Sequence, residues 1–190
     1  MKDNFLINDP NDYLVLVNKN NKLPNDYIPK DLEQINTKYS NSKQYMRSKA
    51  KQAFESMAKD IEKHNMKIFA VSTYRSYEYQ DKLFNNYVKE KGFDYASRCS
   101  AKAGFSEHQT GLAVDIANKN LDYDNFDKTK EFKWVKESAH KYGFIMRYPK
   151  DKEYITGYKY EPWHFRYVGD IAEYIYNNNL TFEEYKKLNE

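Results

Sequence analysis

Ser106-Glu107-His108-Gln109-Thr110-Gly111-Leu112-Ala113-Val114-Asp115 is the stretch that decides how this chain is read, together with Glu161-Pro162-Trp163-His164 near its end. The first has the form Ser-x-His-x6-Asp, and the second places a carboxylate three residues before a histidine. Two histidines and one carboxylate are the ligand count of a catalytic zinc site, which keeps a fourth position open for water or substrate. Glu161 is a second carboxylate, placed to shuttle a proton. The separation of His108 from Asp115 excludes one helical face, unlike the i, i+4 pair of helix-borne zinc motifs. Gly111 permits a tight turn that folds the two toward each other. His164 must come from another strand, and ligands on strands are rigidly held.

Working outward, Leu112-Ala113-Val114-Asp115-Ile116 alternates as a strand does, with Asp115 on the face of Ala113 and opposite Val114. Ile68-Phe69-Ala70-Val71 reads as a buried strand whose C-terminal end carries Thr73-Tyr74-Arg75-Ser76, where loops carry function. Ser76 suits the N-cap of a helix running to Lys91 with Gly92 as its stop. Apolar residues at helical spacing predict an earlier helix over 42–64. Residues 93–111 read mostly as loop. A helix over 128–142 should end at Gly143. Residues 144–147 and 163–167 read as short strands, and residues 150–152 as a turn. Two short helices close the chain, the last with Thr181 and Glu184 as a capping box. Residues 13–17 suggest one more short strand. Pro24 and Pro29 make residues 1–40 an irregular arm packed on a domain of residues 41–190. Separated helices with short antiparallel strands argue for α+β: one small central antiparallel sheet flanked by helices, the metal site on strands and adjoining loops.

Composition bounds the function. A chain of 190 residues makes one domain the default. Its 19 Tyr and 11 Phe must supply much of the core. The net charge of +3, with basic residues scattered among acidic ones, gives no basis for a nucleic-acid partner. No apolar run approaches the roughly 20 residues of a membrane span, and no signal peptide is visible at the start. The single cysteine, Cys99, excludes an internal disulfide and a cysteine-based zinc cluster.

The two motifs, in this order and spacing, resemble those of the zinc D-alanyl-D-alanine carboxypeptidases, and most closely the VanY-like and LdcB-like branch that trims peptidoglycan stem peptides. Tyr74-Arg75-Ser76, Gly143-Phe144-Ile145-Met146-Arg147-Tyr148-Pro149 and Ile155-Thr156-Gly157-Tyr158 match that branch as well, so the resemblance spans residues 14–185. Ala103-Gly104-Phe105 departs from the small-Pro-Gly lead-in common before Ser-x-His, which touches the rim of the site and not its ligands. The resemblance implies one zinc ion held by His108, Asp115 and His164, with Glu161 as the base. It also implies that Gln80, Ser100 and Ser106 hold the peptide end, with Tyr87 and Tyr148 lining the groove.

Arg75, on the loop after a core strand, is the candidate to stabilise the oxyanion and to touch substrate; its bland alternative is an ion pair with Asp115 or Glu78. For Gln80, Ser100 and Ser106 the bland alternative is capping or loop hydrogen bonding. Trp163 is read as a core wedge, His64 and His140 as structural, and Cys99 as a spectator. The expected activity is removal of a C-terminal D-alanine from stem peptides, L,D or D,D, by a monomer at the cell envelope or outside the cell. Its rivals are a cytoplasmic D,D-dipeptidase of the vancomycin-resistance type, a phage-type endopeptidase, and a zinc-retaining peptidoglycan-binding module without activity. Glu161 and Arg75 weigh against the last, which needs neither.

Overall fold

The computed structural model describes residues 5–189; the first four residues of the arm and the last of the domain lie outside it. In chain order the strands and α-helices are β1 (Phe5–Leu6), β2 (Asn21–Lys22), β3 (Leu32–Gln34), β4 (Tyr45–Arg47), α1 (Ser48–Ile61), β5 (Ile68–Ser72), α2 (Tyr77–Lys91), α3 (Phe93–Cys99), β6 (Ala113–Asn118), α4 (Lys130–Ser138), β7 (Phe144–Met146), α5 (Glu153–Thr156), β8 (His164–Tyr167), α6 (Ala172–Asn177) and α7 (Phe182–Leu188). The central sheet has the order β5-β6-β8-β7, antiparallel throughout. The fold is α+β, as the sequence predicts.

The pleat divides the chemistry. Ala50, Phe54, Met57, Ala58 and Ile61 form one stripe of α1 and are fully buried, packed with Val114, Ile116, Phe144 and Phe165 of the sheet. Phe132 and Val135 of α4 join the same layer. Residues one position along each strand point the other way: Asp115 on β6, His164 and Arg166 on β8. Asp115 and His164 are direct cross-strand partners, so their side chains stand together on that face. Ile145, Ala172, Ile175 and Phe182 close a second small core there, under α6 and α7.

Four expectations need correction. The first helix begins at Ser48, not near residue 42, because Tyr45–Arg47 pairs with Leu32–Gln34 as a strand. Tertiary pairing there overrides the apolar spacing. Residues 93–111 contain α3, which follows Gly92 and packs through the edge contact of Phe93 on Phe84 (6.2 Å between ring centres). Ala96 is its one buried residue, so no apolar stripe announces it. The arm is not wholly irregular, since β1 pairs with β2 in parallel and β3 pairs with β4. Residues 13–17 form no strand: the carbonyls of Tyr13 and Val15 accept hydrogen bonds from the Arg166 guanidinium (3.1 and 2.9 Å) instead of from a ladder. The α2 helix matches its predicted bounds, and Ser76 caps it by accepting from the backbone N–H of Tyr79. The Thr181–Glu184 capping box is present.

Candidate active site

The Ser106 hydroxyl caps a short 3-10 turn, Glu107–Thr110, by accepting from the His108 N–H. Gly111 ends that turn at φ +67°, and the chain then enters β6. The left-handed φ favours glycine here, and a Cβ at Gly111 would also press on the end of the Leu32 side chain at 2.8 Å. This turn carries His108 back over the strand that bears Asp115. Candidate ligand atoms of His108, Asp115 and His164 all lie within 4.8 Å of one another, and all three residues are buried.

Both histidines have one ring nitrogen committed. His108 Nδ1 lies 2.7 Å from the carbonyl oxygen of Thr73. A carbonyl only accepts, so Nδ1 carries the proton and Nε2 is free toward Asp115 Oδ2 at 3.4 Å. His164 Nε2 lies 3.4 Å from Oε2 of Glu107, which likewise only accepts. Its Nδ1 faces Asp115 Oδ1 at 3.0 Å. Two imidazole nitrogens and one carboxylate therefore converge, each ring fixed from behind by an oxygen. That is the donor set and the outer support of a three-residue zinc site with an open position.

The protonation preferences follow from burial and neighbours. Burial opposes charge on His164, but the hydrogen bonds to Asp115 and Glu107 prevail and push its pKa up to about 9. Burial and the Arg75 charge push His108 down to about 4. Burial alone would raise Asp115, yet the two histidines hold it well below the usual carboxylate range. Glu161 behaves oppositely: burial lifts it to about 7, only partly offset by His164. Its Oε2 is 3.9 Å from His164 Nδ1. The Glu161 N–H donates to the Tyr148 carbonyl (3.1 Å), and Pro162 holds Glu161 extended.

Arg75 donates from Nε to the Ser72 hydroxyl (3.0 Å), from Nη1 to Gln80 Oε1 (2.9 Å) and from Nη2 to Asp115 Oδ2 (3.2 Å). Its pairing with Asp115 is thus real; Glu78 is not among its hydrogen-bond or ion-pair partners within the described residues. Gln80 in turn donates to the Ala101 carbonyl and the Ser100 hydroxyl. These residues, Ser106, Tyr87, Tyr148 and the four motif residues all line one cavity of about 350 Å³. Tyr148 packs its ring 4.9 Å from that of His164. Trp163 lines the cavity too and meets Tyr123 edge-on, so it is a wall residue and not a core wedge. Exposed Tyr79, Leu121 and Tyr123 form an open rim.

A family model for VanY, D-alanyl-D-alanine carboxypeptidase, matches residues 43–170. The chain belongs to the VanY family. Among its relatives is the putative carboxypeptidase YodJ of Bacillus subtilis (strain 168), 45% identical over 187 residues that make up 94% of this chain and 68% of YodJ. The structure of the LdcB LD-carboxypeptidase superposes with a TM-score of 0.89 at 44% identity, covering 96% of this chain and 89% of that one. A VanY D,D-pentapeptidase from a VanB-type vancomycin-resistance cassette, solved in complex with Zn(II), superposes with a TM-score of 0.79 at 32% identity, covering 92% and 99%. VanY membership makes this chain an enzyme of the carboxypeptidase class. Zinc is the metal of that Zn(II)-bound VanY structure, and the donor set described above fits it.

Sequence reasoning gave no role to Glu107, the unnamed position inside Ser-x-His. Its side chain is fully buried between Arg147 Nε (2.7 Å) and Arg166 Nη1 (2.8 Å). Burial alone would raise its pKa, but the two guanidiniums hold it well below the usual carboxylate range. The signal that could have found it is a pair of arginines, each in a strand segment that otherwise reads as apolar. Charged residues at strand positions facing a sheet interior require a partner.

Proposed function

We propose that the chain is a zinc metallopeptidase that removes the C-terminal D-alanine from peptidoglycan stem peptides. One observation carries the metal assignment: each histidine offers one nitrogen toward Asp115 while its other nitrogen is tied to a fixed acceptor. His108 Nε2, the Asp115 carboxylate and His164 Nδ1 would hold one ion. Zinc supplies Lewis acidity toward the scissile carbonyl and acidifies water in its vicinity.

The protein groups do the rest. Glu161, with a pKa near neutrality, takes a proton from the attacking water and delivers it to the leaving amine. Arg75, already tethered at three points, faces the charge that develops on the carbonyl oxygen. Ser100 and Ser106 present hydroxyls for the terminal carboxylate, Gln80 holds Ser100 and Arg75 in place from beside them, and Tyr87 and Tyr148 wall the groove. The open rim supports a substrate that extends beyond a dipeptide. The likeness to LdcB supports tetrapeptide over pentapeptide. Residues 41–190 act as the catalytic domain and residues 1–40 as an arm packed on it. The chain acts as a monomer at the cell envelope without a nucleic-acid partner; no described helix is long and apolar enough to cross a membrane.

The test is incubation of the zinc-loaded protein with tetrapeptide, pentapeptide, D-Ala-D-Ala and a C-terminally amidated tetrapeptide, with products read by mass spectrometry. The tetrapeptide should lose D-alanine fastest, and the amide should be poor. Faster cleavage of D-Ala-D-Ala than of both longer peptides would replace this reading with a dipeptidase.

A further inference from the structure

Behind His164 lies a buried charge cluster that reaches both ends of the chain. Glu107 Oε1 accepts from Arg147 Nε and Arg166 Nη1, and its Oε2 faces His164 Nε2. Neither arginine is satisfied by Glu107 alone. Arg147 turns its two Nη groups onto both carboxylate oxygens of Glu183 in α7 (2.7 and 2.6 Å). Arg166 turns its Nη2 onto the carbonyls of Tyr13 and Val15 in the arm. The Asn18 side chain joins the two segments by donating to Glu183 (3.3 Å). Two guanidiniums and two carboxylates balance inside a region where Arg147 and Arg166 have no exposure at all. Removing one member of such a cluster strands its partners without solvent. Tyr13, Val15 and Glu183 all lie outside the segment matched by the family model.

We propose that Glu107 is a positioning residue for His164, and that the arm and α7 hold it in place through Arg166 and Arg147. This rests on reading His164 as a metal ligand. Glu107 accepts the Nε2 proton, which leaves the Nδ1 lone pair on the Asp115 side for a metal ion and fixes the ring plane. A carboxylate behind a ligating imidazole also makes it a better donor. Glu107 acts through His164 and is given no contact of its own with the reacting groups. Its orientation is set by guanidiniums that are themselves held by Glu183, by the Tyr13 and Val15 carbonyls and, through Arg166 Nε, by the Tyr167 carbonyl. The arm and α7 thereby contribute to metal affinity although neither reaches the cleft at this point.

The experiment measures zinc affinity by competition with a chromogenic chelator, on full-length protein, at a temperature where circular dichroism shows each metal-free variant folded. Glu107→Gln should weaken zinc binding about 10–100-fold, the usual effect of losing such an outer partner. Glu183→Gln should weaken it in the same direction by a smaller factor. A purely structural role would lower the melting temperature of the metal-free protein and leave zinc affinity unchanged. Affinity within twofold of wild type in folded Glu107→Gln overturns the proposal. If that variant does not fold, Glu183→Gln decides: unchanged affinity there overturns it, and weakened affinity supports it. Wild-type protein that takes up no zinc would instead remove the metal assignment on which the proposal stands.

Discussion

Replacing Glu161 by glutamine should move activity and stability in opposite directions. Glu161 is 7% exposed, and burial lifts its pKa from 4.5 to about 7. A folded value above the unfolded one means that the neutral form suits the fold. The stability this contributes is complete below pH 4.5 and is lost as pH rises through 7. At about 1.4 kcal/mol per pH unit, the span comes to about 3 kcal/mol of cost at pH 8 in the metal-free protein. Glutamine carries no charge to desolvate, so metal-free Glu161→Gln should gain up to about 3 kcal/mol at pH 8 and almost nothing at pH 4. For a chain of this size each kcal/mol moves the melting point by roughly 2–4 °C, so the expected rise is on the order of 10 °C. A bound cation beside Glu161 favours its ionised form and should shrink the gain. The amide cannot shuttle a proton, and turnover should fall by about 10²–10⁴-fold. Melts of chelator-treated protein at the two pH values, with D-alanine release by the zinc-loaded enzyme, measure both sides. A metal-free variant no more stable than wild type at pH 8 would refute the desolvation argument. Turnover within tenfold of wild type would refute the assignment of the base.

Three further outcomes follow from the same geometry. His164 has its folded pKa raised to about 9, so its contribution to the metal-free protein is complete below about pH 6.5 and lost as pH rises through 9; zinc, which needs the neutral ring, should flatten that decline, and parallel melts with and without chelator would show whether it does. Arg75 uses three separate nitrogens, whereas lysine carries all its donors on one nitrogen and lacks the planar fork, so in Arg75→Lys kcat should fall by about 10²–10³-fold with little change in KM; an effect confined to KM would place Arg75 on the substrate carboxylate, and an effect on folding alone would leave it an ion-pair partner of Asp115. Gly111→Ala forces a Cβ into Leu32 at a left-handed φ and should cost about 1–3 kcal/mol in urea unfolding; unchanged stability would mean that the turn before β6 is not fixed by this residue.

What could be seen from sequence divides by the range of the interaction that decides it. Local signals carried well. Ser76 and Gly92 bound α2 because capping and left-handed stops are settled within a few residues. Alternation placed Asp115 opposite Val114, and the cross-strand pairing then brings it beside His164. Long-range pairing was invisible. The apolar spacing of residues 45 and 46 suits a helix, yet Leu32–Gln34 claims them as a strand. The Tyr13 and Val15 carbonyls looked like strand acceptors, and their donor is a side chain about 150 positions away. No window of sequence contains that pairing.

Glu107 shows why the candidate site was legible only on its open side. Its neighbours in sequence face the cavity: Ser106 caps the turn, and His108 turns Nε2 toward Asp115. Glu107 itself turns inward, and nothing in Ser-x-His marks that. What fixes its direction is the arrival of Arg147, just after β7, and Arg166, on β8, both donating to one carboxylate oxygen. A lone buried carboxylate would be expelled or protonated, since desolvation costs several kcal/mol per ion. Two guanidiniums reverse that, and their excess positive charge then requires a further acceptor, which Glu183 supplies. The open face is thus marked by short motifs that sequence displays, and the closed face is set by a charge balance that only the whole fold completes. Substitutions in α7 or the arm should therefore be felt at His164 before they are felt at the rim of the cleft.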